Sequence, residues 1–255
     1  MSEIFDFLKR TENKHGRDSE EAPVFDANAP VIAEEFGLSQ IQDAPSAEVE
    51  ICSVDQFDLT QASLPIRNVL DPLTLVGEQF RLLRSKLGLM QKQRGIKTIL
   101  VTSSVPDEGK TFTASSLAGI FAQELGKKVI LIDADMRKPK SGWSLGLNGS
   151  ASETGLSEVL SGKRAFRDGL LMSQNAALYF LPAGPLPSNP SELLSSPNLE
   201  SVLKMAASGF DWVVVDSPPV LSLSDTTIIA PLCDAVVLVV RANSTPSKII
   251  LDSIT

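Results

Sequence analysis

The sequence predicts an α/β fold in which a doubly wound, mostly parallel sheet carries helices on both faces, preceded by a disordered acidic tail. Three runs, VILI, WVVV and VVLVV, are apolar without alternation, as strands are when both faces of a parallel sheet are covered. Helical stretches separate these runs, and repeated strand–helix units are typical of doubly wound sheets. With 255 residues, 43% of them hydrophobic, the chain can bury the core of one such domain.

The predicted elements alternate along the chain. The strands are KTILVTS, KKVILIDAD, LYFLPAG, DWVVVDSPP and DAVVLVVRA. The helices between them are TFTASSLAGIFAQELG, ETGLSEVLSG, PSELLSSPNLESVLKMAASG and SDTTIIAPL. A further helix, PLTLVGEQFRLLRSKLGLMQ, comes before the first strand and ends near Gly95. The helical period places these side chains near one face of it: Leu75, Gln79, Leu82, Leu83, Lys86 and Met90.

Charge divides the chain into two parts at about residue 65. Residues 1–65 hold 14 acidic and 4 basic side chains, a net charge of −10, whereas the remaining 190 residues hold 17 acidic and 19 basic ones. The first part has no sustained apolar period, so we expect a largely disordered tail. Its opening, SEIFDFLKR, is a short amphipathic stretch, either a frayed terminus or a docking peptide. We assign residues 66–255 to the folded domain.

Composition argues against several classes of protein. The net charge of −8, with no basic cluster, argues against nucleic acid as the main ligand. Cys52 and Cys233 offer neither a disulfide framework nor metal-ligand spacing, which fits a reducing cytosol. The longest nearly apolar segment, IIAPLCDAVVLVV, has 13 residues including Asp234, fewer than the roughly 20 of a membrane helix. No secretory signal opens the chain, so we expect a cytoplasmic protein that reaches a membrane only through a partner.

The stretch VTSSVPDEGKT lies between a predicted strand and a predicted helix, where a phosphate-binding loop belongs. Gly109, Lys110 and Thr111 supply the last letters of the pattern G-x-x-x-x-G-K-[ST], while Ser104 stands in place of its first glycine. Backbone amides at the helix start would face phosphate oxygens, Lys110 would reach the terminal phosphates and Thr111 would bind Mg²⁺. The predicted ATP-binding residues are Ser104, Pro106, Asp107, Glu108, Gly109, Lys110, Thr111 and Phe112.

Three aspartates follow the predicted strands nearest this loop. Asp133 and Asp135 end the strand VILIDAD, and Asp216 ends WVVVD. The carboxyl ends of parallel strands meet at the ligand edge of an open α/β sheet, so all three carboxylates are expected beside the loop. A single aspartate there is often only the cap of the next helix. Three beside a GKT loop indicate a site for a nucleotide and a metal ion.

The motifs SSVPDEGKT, VILIDADMRKP and VVVDSPPV resemble the Walker A, second acidic and Walker B motifs of the bacterial tyrosine kinases that govern capsule and exopolysaccharide synthesis. The similarity covers roughly residues 70–250. It implies a sheet of the P-loop NTPase type and a kinase that uses ATP and Mg²⁺. By motif position it makes Lys110 the residue that neutralises phosphate charge, Thr111, Asp135 and Asp216 the Mg²⁺ ligands, and Asp133 the base toward an acceptor tyrosine.

The same resemblance implies partners. Glu78, Arg81 and Arg84 match an E-x-x-R-x-x-R helix that joins neighbouring subunits of a ring in the family, although the spacing alone also describes an ordinary salt-bridged helix face. The expected partners are further copies of this chain, a separate inner-membrane activator that regulates polysaccharide chain length, and a protein that carries the acceptor tyrosine.

The chain departs from the family at its acceptor. It has one tyrosine, Tyr179, in a predicted buried strand, instead of a tyrosine-rich tail. It stops at SKIILDSIT, where the family adds a strand and a helix, so we expect residues 66–255 to lack the last elements of the fold. These departures leave a second hypothesis open, an ATP-switched assembly factor of the export complex that phosphorylates nothing. A partitioning-type ATPase is disfavoured, because Val105 replaces that group's signature lysine.

Overall fold

The computed structural model describes residues 55–147 and 154–254. The strands are β1 Asp55–Phe57, β2 Thr98–Ser103, β3 Val129–Asp133, β4 Leu171–Ser173, β5 Leu178–Leu181, β6 Trp212–Asp216 and β7 Ala235–Val239. The helices are α1 Leu64–Leu70, α2 Leu75–Arg94, α3 Lys110–Ala122, α4 Ser141–Ser144, α5 Leu156–Leu160, α6 Pro190–Leu194, α7 Pro197–Gly209, α8 Asp225–Ile229 and α9 Ser247–Asp252. Short 3₁₀ turns occupy Leu59–Gln61, Phe166–Gly169 and Ala230–Leu232.

The seven strands form one sheet in the order β1-β4-β5-β3-β6-β2-β7. Every neighbouring pair is parallel except β4 and β5, which are antiparallel. The mostly parallel α/β sheet predicted from the non-alternating runs is therefore confirmed. All five predicted strands are present, and the helical stretch beginning at Pro190 is split into α6 and α7.

Helices cover both faces of the sheet, so alternate residues of one strand enter different cores. Ile130 and Ile132 of β3 belong to a core with α5, α7 and α8, whereas Val129 and Leu131 belong to a core with α2 and α3. The central strands β2, β3 and β6 are buried along their whole length. Burial on both faces explains why these strands are apolar without alternation.

The folded domain begins earlier than the sequence predicts. Residues 1–54, which include most of the predicted tail and its amphipathic start, lie outside the described residues. Residues 55–65, also assigned to the tail, contain β1, a 3₁₀ turn and the start of α1. Strand β1 pairs with β4, and Phe57 is 4% exposed. The sequence does not reveal strand β1 for two reasons. The segment is acidic, and its pairing partner β4 lies more than 100 residues away.

The side chains that the helical period groups on one face of α2 are not buried alike. Leu75 and Leu82 of that group are 78% and 54% exposed. The helix instead buries Gly77 and Leu87, and Leu83 packs against the core with only part of its surface. The apolar residues of α2 are spread around the helix, so periodicity alone does not identify the inner face.

None of the helices in residues 55–147 and 154–254 is both long enough and apolar enough to cross a bilayer.

Candidate nucleotide and phosphoryl-transfer site

The predicted phosphate loop joins the end of β2 to the start of α3. Gly109 is the N-cap of α3 and has a φ of 96°, a left-handed conformation that favours glycine. Asp107 also has a positive φ, 63°, whereas Ser104 does not. An ordinary φ at Ser104 removes the conformational need for glycine there. The departure from the usual pattern therefore leaves the shape of the loop intact.

The start of α3 presents a row of unpaired amides. Among the described residues, no backbone N–H from Asp107 to Phe112 donates a hydrogen bond to a backbone carbonyl or to a side chain. Free amides at a helix start carry partial positive charge and bind anions such as phosphate. The loop thus has the donors that an ATP phosphate chain requires.

Lys110 lies in the middle of an acidic cluster. Its Nζ is 2.8 Å from Oδ2 of Asp135 and 3.8 Å from Oδ1 of Asp216. Burial alone would lower the pKa of Lys110, but the charges of Asp216 and Asp135 outweigh this effect and raise it. Lys110 is therefore a permanent cation at neutral pH.

Asp133 is buried beneath this cluster, with 1% of its surface exposed. Its two oxygens accept the backbone N–H groups of Asp135, at 3.2 Å, and of Ser141, at 3.1 Å. Burial first, and then the charge of Asp216, raise the pKa of Asp133 to about 8. This carboxyl can hold a proton near neutral pH.

Asp216 is directly opposite Asp133 in the register of β6 and β3. It is fully buried, which raises its pKa, and its Oδ2 accepts the Ser141 hydroxyl at 3.0 Å. Its Oδ1 has no hydrogen-bond partner within the described part of the chain. Apart from the ion pair of 3.8 Å with Lys110 Nζ, this oxygen is therefore open to a further ligand.

The donor set suits Mg²⁺. Asp216 Oδ1, the Asp135 carboxylate and the Thr111 hydroxyl are hard oxygen ligands, and Thr111 Oγ1 accepts from Lys110 Nζ at 3.3 Å. Within residues 55–147 and 154–254, His, Cys, Asp and Glu side chains form no cluster of three that would enclose a metal. A Mg²⁺ ion usually takes only one or two carboxylates, together with waters and substrate phosphates. The residues present fit that mode of binding.

The remaining residues of the predicted ATP set have different surroundings. Asp107 is exposed and lies 3.7 Å from Lys140, and the Phe112 ring packs edge-on against Phe80 of α2. Glu108 is 9% exposed, and its carboxylate accepts hydrogen bonds from the protein itself. The side chains of Phe112 and Glu108 therefore serve the fold, and only their backbone amides are free.

Sequence reasoning missed two groups at this edge. Ser141 joins Asp133 to Asp216 through its amide and its hydroxyl. Asp225, 1% exposed, accepts from Arg137 Nε at 3.0 Å and from the Ser191 hydroxyl. No local pattern marks these two groups, because Asp216 lies 75 residues from Ser141 and the partners of Asp225 lie 34 and 88 residues from it.

The predicted oligomerisation residues lie on α2, away from the carboxylates. Arg81 forms an ion pair of 3.0 Å with Glu78 and donates to the carbonyl of Pro72. Arg84 donates to the carbonyl of Ile120 and so anchors α2 to α3. These contacts within the subunit leave the predicted role between subunits untested.

A cavity of about 550 Å³ lies elsewhere on the carboxyl side of the sheet, between α5 and the segment leading into α6. Glu158, Lys163, Pro187 and Glu192 are among its lining residues. None of the predicted site residues lines it, so its volume does not identify the reaction centre.

Comparison with known proteins agrees with this geometry. Residues 96–247 match the family model described as an AAA domain. The chain is 38% identical over 185 residues to the tyrosine-protein kinase YwqD of Bacillus subtilis, covering 71% of this chain and 76% of YwqD. It is 31% identical to the tyrosine-protein kinase Etk of Escherichia coli K12 over 86% of this chain, but spans only 31% of the length of Etk.

Solved structures show the same likeness. The kinase domain of Escherichia coli Etk superposes with a TM-score of 0.69 at 32% identity, covering 75% of this chain and 74% of that domain. The chimerical protein CapA2B2 superposes with a TM-score of 0.68 at 25% identity, covering 79% of this chain and 86% of CapA2B2. The coverage of YwqD and the match of the loop and carboxylate strands lead to one assignment: the chain belongs to the family of bacterial tyrosine-protein kinases with the P-loop NTPase fold.

Proposed function

We propose that this chain is an ATP- and Mg²⁺-dependent kinase that transfers phosphate to a tyrosine hydroxyl on another polypeptide. The observation that carries the proposal is the position of Lys110. Its ammonium lies 2.8 Å from Asp135, beside the unpaired amides at the start of α3. One cation between phosphate-binding amides and carboxylates is the arrangement that phosphoryl transfer requires.

Binding of ATP uses the charge of the loop. The amides from Asp107 to Phe112 receive phosphate oxygens, and Lys110 offsets the negative charge that develops on the transferred group. Because the loop already holds these donors in position, little reorganisation accompanies the reaction. Gly109 permits the left-handed turn that brings the backbone to the helix start.

Thr111, Asp135 and Asp216 are the proposed Mg²⁺ ligands. The orphaned Oδ1 of Asp216 supports this assignment. When bound, Mg²⁺ would offset the negative charge of the phosphates. Ser141 holds the other oxygen of Asp216, so its hydroxyl orients this carboxylate from behind.

Asp133 is the proposed base toward the acceptor tyrosine. Burial is the main cause that raises the pKa of Asp133, so its carboxylate, once ionised, is a stronger proton acceptor than an exposed aspartate. The amides of Asp135 and Ser141 fix its carboxylate. The proton of the tyrosine hydroxyl would pass to a carboxylate oxygen of Asp133 as the tyrosine oxygen bonds to the γ-phosphorus of ATP. The bond from that phosphorus to the bridging oxygen of the β-phosphate would break, and ADP would leave.

Tyr179 is a poor candidate for the acceptor. Tyr179 is the single tyrosine of the chain, lies within β5 and is 7% exposed. Burial also raises its pKa, which makes its hydroxyl a poorer nucleophile.

We further propose, from the resemblance of the motifs, that the kinase regulates exopolysaccharide or capsule polymerisation and export. In this setting it works at the cytoplasmic face of the inner membrane, recruited by a separate membrane activator. Self-association through α2 is the proposed route to a ring. Three leucines seven residues apart on α2 support this, since Leu75, Leu82 and Leu89 are 78%, 54% and 56% exposed.

The test is a labelling assay with matched lysine variants. Purified protein receives γ-labelled ATP, Mg²⁺ and a random copolymer of glutamate and tyrosine. We expect label on tyrosine, and a loss of at least about 100-fold in Lys110→Met. Lys127→Met is the matched control, because Lys127 pairs with Asp211 at the opposite end of the strands. Equal labelling by both variants would show that phosphoryl transfer does not require Lys110.

A second candidate function follows from the buried tyrosine. An ATP-switched assembly factor would bind and hydrolyse ATP, change its oligomeric state and phosphorylate nothing. The burial of Tyr179 favours it, because the one tyrosine among residues 1–255 is then a poor acceptor. In the same assay, free phosphate without labelled tyrosine would select this candidate and overturn the kinase.

A further inference from the structure

Glu108 connects two loops at the carboxyl edge of the sheet. Its Oε2 accepts the backbone N–H of Val105 at 2.9 Å, within the phosphate loop. Its Oε1 accepts the backbone N–H of Arg241 at 3.2 Å and the hydroxyl of Thr245. Arg241 and Thr245 belong to the loop between β7 and α9, more than 130 residues away in sequence. One carboxylate thus takes donors from both loops.

The sheet brings these loops together. Strands β2 and β7 are parallel neighbours, with Ser103 opposite Val239 at their carboxyl ends. The two loops that follow therefore leave the sheet side by side. In the second loop Ser244 and Thr245 both donate to the Arg241 carbonyl, which makes a compact turn. The Glu108 carboxylate spans the gap between this turn and the phosphate loop.

The phosphate loop turns sharply just before α3. Asp107 and Gly109, on either side of Glu108, both have left-handed φ values, 63° and 96°. Aspartate tolerates a left-handed φ better than most L-residues, but the conformation is still less favourable than the right-handed one, so a contact that spans Asp107 helps to hold it. The hydrogen bond from the Val105 N–H to the Glu108 carboxylate closes the loop across Pro106 and Asp107. The next amides, from Asp107 onward, stay free for phosphate.

The carboxylate carries a charge that these contacts stabilise. Burial alone would raise the pKa of Glu108, but hydrogen bonds from Thr245, Val105 and Arg241 outweigh burial and lower it. Glu108 is therefore ionised at neutral pH, and hydrogen bonds to an ionised acceptor are the stronger kind. A neutral amide in its place would keep the size of the side chain but lose that strength.

We infer that Glu108 is a positioning residue that holds the phosphate loop in its binding shape by tying it to the Arg241–Thr245 turn. Its carboxylate acts from behind the loop and leaves the phosphate to the free amides. A shift of the turn is transmitted to the phosphate-binding amides, and occupation of those amides steadies the turn. The effect of Glu108 on the affinity for ATP rests on the proposed function, whereas its link between the two loops does not.

The first measurement is affinity for a fluorescent ATP analogue in the full chain. We expect the dissociation constant to rise about tenfold in Glu108→Gln and about 100-fold in Glu108→Ala. Thr245→Val should raise it severalfold, and Thr245→Ser, which keeps the hydroxyl, should restore it. Glu124→Gln is the matched control, because Glu124 is exposed beyond the end of α3. Unchanged affinity in Glu108→Ala would overturn the inference.

The second measurement needs no nucleotide and therefore separates this inference from the proposed function. Hydrogen exchange at the amides of Val105 and Arg241 should be at least tenfold faster in Glu108→Gln than in the wild-type protein. If the wild-type protein binds no ATP analogue, the proposed function fails. The exchange result still shows whether Glu108 links the phosphate loop to the Arg241–Thr245 turn. Unchanged exchange at both amides would overturn the inference that Glu108 holds the two loops together.

Discussion

Oδ2 of Asp135, just beyond the end of β3, lies 2.8 Å from Nζ of Lys110 at the start of α3. Both side chains are nearly buried, with 7% and 12% of their surfaces exposed. A buried ion pair is costly to form unless each charge has partners, and here Asp216 adds a second anion at 3.8 Å. The site thus holds its cation and its proposed metal ligands in one charged group, ready to exchange partners with phosphate.

Asp135→Asn should separate metal binding from folding. The amide keeps the shape of the side chain, and Asp216 still offsets Lys110, so the protein should fold. We expect phosphoryl transfer to fall at least about tenfold and the Mg²⁺ concentration for half-maximal rate to rise, because one anionic ligand is lost. The measurement is the initial rate against Mg²⁺ concentration. Asp168→Asn is the control, because Asp168 is exposed and belongs to the 3₁₀ turn Phe166–Gly169.

An unchanged Mg²⁺ dependence in Asp135→Asn would show that this carboxylate serves only as the partner of Lys110.

Arg137 and Asp225 predict an asymmetry in stability. Asp225 is 1% exposed, whereas the Arg137 side chain is 36% exposed. Arg137→Met leaves a buried carboxylate without its cation and should lower the free energy of unfolding by about 3 kcal/mol. Asp225→Asn leaves a half-exposed arginine that water can solvate, so we expect a loss of about 1 kcal/mol. Urea unfolding of both variants gives the comparison, and the reverse order would contradict this account.

Two glycines of α2 should respond oppositely to alanine. A Cβ on Gly77 would lie 2.6 Å from the Val69 carbonyl and 2.8 Å from that of Asp71, both rigid backbone atoms. Gly77→Ala should therefore destabilise the protein by about 1–3 kcal/mol. A Cβ on Gly88 would meet nothing within 4 Å, so Gly88→Ala should stabilise it by about 0.5–1 kcal/mol.

Thermal unfolding of the two alanine variants beside the wild-type protein measures both effects. A stable Gly77→Ala protein would mean that α1 and α2 pack less closely than the structure indicates.

The fold class can be predicted because strands that are buried on both faces are apolar at consecutive positions, and this pattern is visible in the local sequence. VILI and WVVV are apolar throughout since β3 and β6 lie at the centre of the sheet. Strands β1 and β4 were missed, because three residues are too few for a pattern and their neighbours supply the pairing. The inner face of α2 cannot be assigned from the sequence for a related reason, since apolar residues surround the helix.

The candidate site also has features that the sequence predicts and features that it does not. The loop and the three aspartates could be predicted, because strand ends and a GKT motif fix their place in the fold. The orientation of Glu108 could not, since its partners Arg241 and Thr245 are set by the pairing of β2 with β7. The link through Ser141 likewise depends on where α4 packs, 75 residues from its partner Asp216.

The exposed leucines of α2 give the last prediction, which concerns self-association. Leu75, Leu82 and Leu89 recur every seven residues and so form one exposed row along the helix. If this row is the contact between subunits, Leu82→Glu puts a charge into its centre and should shift the protein to monomers. Leu125→Glu is the matched control, because Leu125 is 97% exposed and lies outside α2. Sedimentation velocity with and without Mg²⁺ and ATP measures the oligomer. Loss of assembly in Leu82→Glu alone would support the proposed ring, whereas equal assembly in both variants would place the contact on another surface.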